Sequence, residues 1–276
     1  VILNRRSIVI GSGALFAAGA AQGQDDDGLT LTGRYVQGGH AIGRTWPRAL
    51  IFVDGESLTA ASADGWFIIG FDRDAPGSVE IESRLGARTA RRTLDIAPGR
   101  FPSTSVNGLP PATVEPTDPE LLARIREEVV LKTEGFASRT DADHFHDGFA
   151  WPLEGFRVTS RWGSQRILNG TPARPHYGID LAAPQGTAIR APAAGRVALA
   201  RSGLHFEGGL VLIDHGQGLI SAYLHQSRLE VTAGQELMRG DLIGRVGMTG
   251  RATGPHLCWR LKWRNRNMDP SLMVKT

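Results

Sequence analysis

Between residues 29 and 101 apolar and polar positions come in short runs broken by turn residues. Leu29-Thr30-Leu31-Thr32-Gly33 is one run, Ala49-Leu50-Ile51-Phe52-Val53 a second and Trp66-Phe67-Ile68-Ile69-Gly70-Phe71 a third. Val79-Glu80-Ile81-Glu82-Ser83 alternates with period two, the mark of a half-buried strand. Asp54-Gly55, after the second run, is a dipeptide that favours a tight hairpin turn, and Asp64-Gly65 leads into the third. Strands at this spacing predict an immunoglobulin-like β-sandwich over residues 29–101. The segment carries no clustered nucleophile, metal-ligand or phosphate motif, so it reads as a binding or positioning module.

The pattern then changes twice. Residues 102–150 read as a linker whose first part, 102–117, is rich in Pro, Thr and Ser. Leu121, Leu122, Ile125, Val129 and Val130 recur at helical spacing and predict a helix over about 118–134, with Asp118 at its start and Pro119 in its first position. Its expected role is a packing strut between domains. His144 and His146 follow in a polar stretch and read as surface histidines. From residue 151 to 274 dense Gly/Pro turns separate β-branched runs. Strands are expected at Val197–Ala200, Leu210–Ile213, Leu219–Leu224, Leu242–Val246 and His256–Trp263. The fold class is therefore mainly β: an N-terminal sandwich, a linker helix and a C-terminal antiparallel β-domain.

Composition sharpens this picture. The chain has 35 glycines among 276 residues, nearly double the usual ~7%, which favours a turn-rich β protein over a helical bundle. A net charge of +3 is too weak to argue for nucleic acid, yet it is compatible with anionic cell-wall polymers. There is one cysteine, Cys258, so no intramolecular disulfide can form. Residues 1–23 read as a signal peptide: Arg5 and Arg6, an apolar stretch from Ile8 to Ala18, then Ala18-Gly19-Ala20 as a cleavage site. The adjacent arginines fit a twin-arginine signal or an ordinary secretory one. The apolar stretch falls short of the ~20 residues of a permanent span, so the mature chain is expected in the periplasm or cell envelope, not inserted in a membrane.

The chemistry gathers in four pieces: His176-Tyr177-Gly178-Ile179-Asp180, Asp214-His215-Gly216, Tyr223-Leu224-His225 and Gly254-Pro255-His256-Leu257-Cys258-Trp259. In a fully extended strand His176 and Asp180 would lie ~13 Å apart, so the chain must bend between them, and Gly178 is the residue expected to permit it. His256 and Cys258, two apart on a strand, project from one face at ~7 Å. His, Asp and Cys are all zinc ligands, and three protein ligands plus water is the catalytic arrangement.

At these residues the sequence resembles the lysostaphin-like zinc endopeptidases, which cleave peptide cross-links of bacterial peptidoglycan. Their H-x-x-x-D and H-x-H signatures are matched by His176…Asp180 and by His256-Leu257-Cys258. The resemblance extends over about 150–274, through Ala191–Val197, Val211–Gly216 and Gly234–Gly250. It implies one zinc ion per chain held by His176, Asp180 and the last residue of H-x-H, with His225 and His256 as the catalytic pair beside the substrate carbonyl. His215 has no counterpart there and reads as structural. Cys258 stands where the family has histidine. A zinc-ligating thiolate in a working enzyme, a site that has lost its metal, and a buried small hydrophobe are the three readings. The first implies an exported metalloendopeptidase acting on peptidoglycan peptides. The second implies a non-catalytic domain that binds the wall or activates a partner wall hydrolase.

Overall fold

The computed structural model describes residues 28–275, so the signal peptide expected over 1–23 lies outside the described residues. The first strands are Leu29–Arg34 (β1), His40–Thr45 (β2), Leu50–Val53 (β3), Glu56–Ala60 (β4), Trp66–Gly70 (β5), Ser78–Leu85 (β6) and Arg88–Asp95 (β7). They form a three-stranded sheet, β1-β2-β5, and a four-stranded sheet, β4-β3-β6-β7, with every pairing antiparallel. Period-two burial is visible in β6, where Val79 and Ile81 are buried and Ser78 and Glu80 exposed. Asp54 and Gly55 both adopt left-handed backbone, φ 49° and 82°. That is what a two-residue turn between twisted strands requires.

The Pro/Thr/Ser-rich stretch holds more order than a plain linker. It contains a strand, Ser103–Val106 (β8), and a short helix, Pro111–Val114 (α1). The long helix Pro119–Phe136 (α2) follows, with the Asp118 side chain accepting from the Leu121 amide at 2.7 Å. The buried face of α2 differs from the one the apolar spacing suggests. Val129 and Val130 are exposed, whereas Glu128 and Gly135 are buried. Leu131 and Phe136 pack on Leu199, Leu210, Leu212 and Leu224. A Cβ on Gly135 would lie 2.8 Å from Leu212 Cδ1, so the missing side chain is what lets α2 lie flat on the strands below. Glu128 accepts from the His205 amide and from Arg124 Nε, both at 2.9 Å, which satisfies its buried carboxylate.

The remaining strands are Arg157–Ser160 (β9), Gln165–Leu168 (β10), Thr171–Pro172 (β11), Ile179–Ala182 (β12), Ala188–Arg190 (β13), Gly195–Leu204 (β14), Gly208–Asp214 (β15), Leu219–Gln226 (β16), Arg228–Leu229 (β17), Glu236–Leu237 (β18), Leu242–Arg245 (β19), His256–Trp263 (β20) and Arg266–Met268 (β21). The principal sheet has eight strands, β18-β14-β15-β16-β20-β12-β9, with β21 beside β20. β8 pairs in parallel with β10, which ties the supposed linker into the C-terminal half.

One buried cluster joins both halves, running from Phe67, Ile69 and Phe71 to Trp259, Trp263 and Met268. Gly70 sits at this seam, where a Cβ would meet Met268 Sδ at 2.6 Å. The Asp269 amide donates to Gly38 O across the seam at 2.8 Å. Among the described residues no helix is long and apolar enough to cross a membrane.

Candidate metal centre

Strand β20 is two-faced. Leu257, Trp259, Leu261 and Trp263 are at most 1% exposed and fill the common core; the alternation leaves His256, Cys258 and Arg260 on the opposite face. β12 flanks β20 on one side and β16 on the other, and Cys258 has Asp180 opposite it in the first and Leu224 in the second. This register brings Asp180 beside the cysteine and His225, the residue after Leu224, to the same end of the sheet.

His176 lies in the turn before β12, held by its amide to Ser164 O at 2.8 Å and by the Gly163 amide to its own carbonyl at 2.7 Å. Its Nε2 is 3.2 Å from Asp180 Oδ1 and 3.3 Å from Cys258 Sγ. All three residues are buried, and their donor atoms lie within 4.8 Å of one another. Tetrahedral ligands at zinc bond lengths stand ~3.3–3.6 Å apart, close to the distances of His176 Nε2 from each of the other two donors. Asp180 Oδ1 is buried with no hydrogen-bond partner, a costly state that a bound cation would relieve. His nitrogen, carboxylate oxygen and thiol sulfur are a donor set suited to zinc.

Two of the three donors are held from behind. His176 Nδ1 meets Ser160 Oγ at 3.2 Å, which leaves Nε2 for the site. Asp180 Oδ2 accepts from Arg166 Nη2 at 2.7 Å. Arg260 lies two residues beyond Cys258 on the same face of β20. Burial alone would raise the Asp180 carboxyl, but His176 and Arg166 outweigh it and hold it well below the usual carboxylate range. Burial lowers His176, against the opposing pull of Asp180. Burial pushes the Cys258 thiol up to about 12 in the absence of metal, with Arg260 opposing.

Gly178 acts differently from the expectation. Its backbone is not left-handed; it is needed for close approach. A Cβ there would stand 2.8 Å from Cys258 Sγ and 2.9 Å from Arg260 Cγ.

His225 and His256 face each other with ring centroids 4.7 Å apart. His225 Nδ1 is 2.8 Å from Thr249 O, and His256 Nδ1 is 2.8 Å from Gly254 O. A carbonyl only accepts, so each Nδ1 carries the hydrogen and each neutral ring keeps its lone pair at Nε2. His256 Nε2 is 3.8 Å from Asp180 Oδ1. Burial, followed by the charge of His256, lowers His225 to about 3. His225 also has φ 66°, a conformation that costs a residue with a Cβ about 1–2 kcal/mol and that clusters at functional sites.

All five residues singled out in the sequence thus come together. The other histidines do not join them. His215 is fully buried, with Nδ1 2.7 Å from Ala194 O and Nε2 2.7 Å from Ser221 Oγ; His146 stacks on Trp66 at 5.1 Å. Ser160 and Arg166, which hold His176 and Asp180 from behind, were not legible in the sequence. Arg166 arrives from the separate β10-β11 hairpin, which no local pattern connects to Asp180.

Residues 174–270 match the model of peptidase family M23. Peptidoglycan DD-endopeptidase ShyA of Vibrio cholerae is 38% identical over 116 residues, 41% of this chain and 26% of that protein. Murein hydrolase activator NlpD of Salmonella dublin is 30% identical over 156 residues, 56% of this chain and 39% of that protein. The alignments therefore span well under half the length of either relative. A crystal structure from Pseudomonas aeruginosa named for peptidase M23 superposes with a TM-score of 0.67 at 28% identity, covering 87% of this chain and 95% of that one. The matched segment opens two residues before His176 and encloses Asp180, His225, His256 and Cys258, so this part of the chain carries a peptidase M23 domain.

Proposed function

We propose that this chain is an exported zinc endopeptidase that hydrolyses peptide bonds in the stem or cross-bridge peptides of peptidoglycan. The observation that carries the reading is the convergence of His176, Asp180 and Cys258 around an unpartnered carboxylate oxygen, beside two rings that present Nε2. One zinc per chain, held by those three residues, would polarise the scissile carbonyl and acidify a water molecule. The chain's own contribution is proton handling. With Nδ1 committed to a carbonyl, each ring accepts at Nε2 when neutral and donates there only when protonated. Buried His225 is the ring that stays neutral and takes the proton of the attacking water. His256, part-exposed and 3.8 Å from the Asp180 carboxylate, is the ring placed to carry a proton toward the developing oxyanion.

The names of ShyA and NlpD support peptidoglycan as the target. Residues 1–23 supply the export signal in this reading, residues 29–101 the positioning module and residues 151–274 the catalytic unit. Purified protein should contain about one zinc per chain and release muropeptides from sacculi, and His176→Ala should lose both. Absence of zinc together with absence of release would overturn the proposal.

The likeness to NlpD favours a second reading, a non-catalytic domain that activates a partner wall hydrolase. It predicts stimulation of that hydrolase by His225→Ala protein at the wild-type level, with no muropeptides released by the chain alone.

A further inference from the structure

His176 sits in a turn, and that turn is fixed from the other half of the molecule. Two main-chain bonds tie it to the turn between β9 and β10: the Gly163 amide donates to His176 O at 2.7 Å, and the His176 amide donates to Ser164 O at 2.8 Å. Gly163 has φ 77°, a left-handed conformation that glycine enters and leaves at little cost. These bonds therefore place His176 only as firmly as Gly163 is itself held. The side chains that hold it belong to residues 29–101. Arg73, in the turn after β5, donates from Nε to Gly163 O at 2.9 Å. Its guanidinium lies 4.5 Å from the ring centroid of Phe101. Phe101 in turn packs on the bare face of Gly163, where a Cβ would stand 2.4 Å from Phe101 Cδ1. Trp162 completes the packing: its ring centroid is 5.7 Å from that of Phe101 and 6.0 Å from that of Tyr177, the residue after His176. Its other edge fills the space over Gly38, where a Cβ would meet Trp162 Cζ3 at 2.4 Å. Arg266 makes a contrasting contact. It crosses the same seam, donating from Nη1 to Gly70 O at 3.2 Å, but among the described residues it makes no hydrogen bond to either turn.

On the reading that His176 is a metal ligand, we infer that Arg73 is a positioning residue for it: through Gly163 the N-terminal sandwich fixes the turn that presents the ligand, and so contributes to metal binding without touching the metal. Groups that orient a ligand from outside the coordination sphere act on metal affinity through that ligand. The consequence is a split between site and fold. Loss of Arg73 weakens the metal site, whereas loss of Arg266 loosens the same seam and spares the site.

The test uses the full chain. Zinc affinity is read by chelator competition, the cobalt-substituted protein by its d–d bands, and the metal-free protein by amide hydrogen exchange. Arg73→Met keeps a side chain over Phe101 but removes the donor to Gly163 O. It should lower zinc affinity about 3–10-fold, the loss expected for one hydrogen bond, alter the d–d bands, and speed exchange of the His176 amide by a similar factor. Arg266→Met should change zinc affinity by less than about twofold and leave the d–d bands as in the wild type. Equal losses in the two variants, or wild-type zinc affinity in Arg73→Met, would overturn the inference. Exchange is measured without metal and so separates two failures. If the wild type binds no zinc, the proposed metal centre fails; if His176 exchange is unchanged in Arg73→Met, the link from the sandwich to the turn fails. Should Arg73→Met not fold, Arg73→Lys keeps the cation over Phe101 without the fixed Nε–H of the planar fork. Lowered zinc affinity with faster His176 exchange then supports the inference, and wild-type values in both overturn it.

Discussion

At the residue scale the site is defined by which atoms are already committed. Thr249 O and Gly254 O take the Nδ1 hydrogens of His225 and His256, Ser160 takes Nδ1 of His176, and Arg166 takes one oxygen of Asp180. What remains free is the set of atoms that could hold a metal or move a proton. His225 is not a member of the metal trio, so its proposed role is separate from theirs. His225→Ala should lower kcat about 10²–10⁴-fold while leaving zinc per chain unchanged; loss of zinc in this variant would show that the two roles are not separable. The five candidate side chains were legible because each sits in a short ordered motif. Their orienting partners were not, since Ser160 and Arg166 reach the site only through the fold. The reason for Gly178 was also hidden, because close approach to Cys258 Sγ cannot be read from the turn pattern that drew attention to it.

Among the elements, β20 and its neighbours do the positioning, and small residues decide how closely they meet. Gly216, after β15, has φ 98°, and a Cβ there would lie 1.8 Å from Ala142 O. Gly216→Ala combines backbone strain with a clash against main chain and should destabilise the fold by about 2–3 kcal/mol, visible as a lower urea midpoint. An unchanged midpoint would mean that the segment after α2 is not packed on this turn as described. Strands such as β6 and β20 were legible because period-two burial is written directly into the residues. The existence of α2 was legible for the same reason, through Asp118, Pro119 and the helical spacing. Its orientation was not: Val129 and Val130 look like core positions in sequence, yet the face that packs uses Glu128, Leu131 and Gly135. Burial of a paired glutamate and of a glycine leaves no hydrophobic signal to find.

For the whole molecule, the shared core from Phe67 to Trp263 makes the two halves thermodynamic partners. Fluorescence and far-ultraviolet circular dichroism should therefore report one coincident urea transition, whereas two resolved transitions would show that the halves unfold apart. Each half also buries a neutral histidine. Burial holds His40 and His215 at about 4, while in the unfolded chain they titrate near ~6.5. Between those values the unfolded state binds protons that the folded state does not, so stability rises with pH through this window and levels off above it. The free energy of unfolding from urea titrations should climb from about pH 4.5 to about pH 7, by up to about 1.4 kcal/mol per pH unit for each histidine; a flat profile would contradict their burial as neutral groups. The union of the halves was the least legible feature. The Pro-rich run suggested a loose connection, and only tertiary pairing of β8 with β10 reveals that it is built into the second half.

In the proposed site the chain's one cysteine, Cys258, is a metal ligand. X-ray absorption of the zinc-loaded full chain tests it most directly, because Cys258 is the only thiol available. One sulfur scatterer is expected at about 2.3 Å, with the remaining ligands, nitrogen and oxygen, at about 2.0–2.2 Å. A first shell of nitrogen and oxygen alone, unchanged in Cys258→Ala, would contradict it.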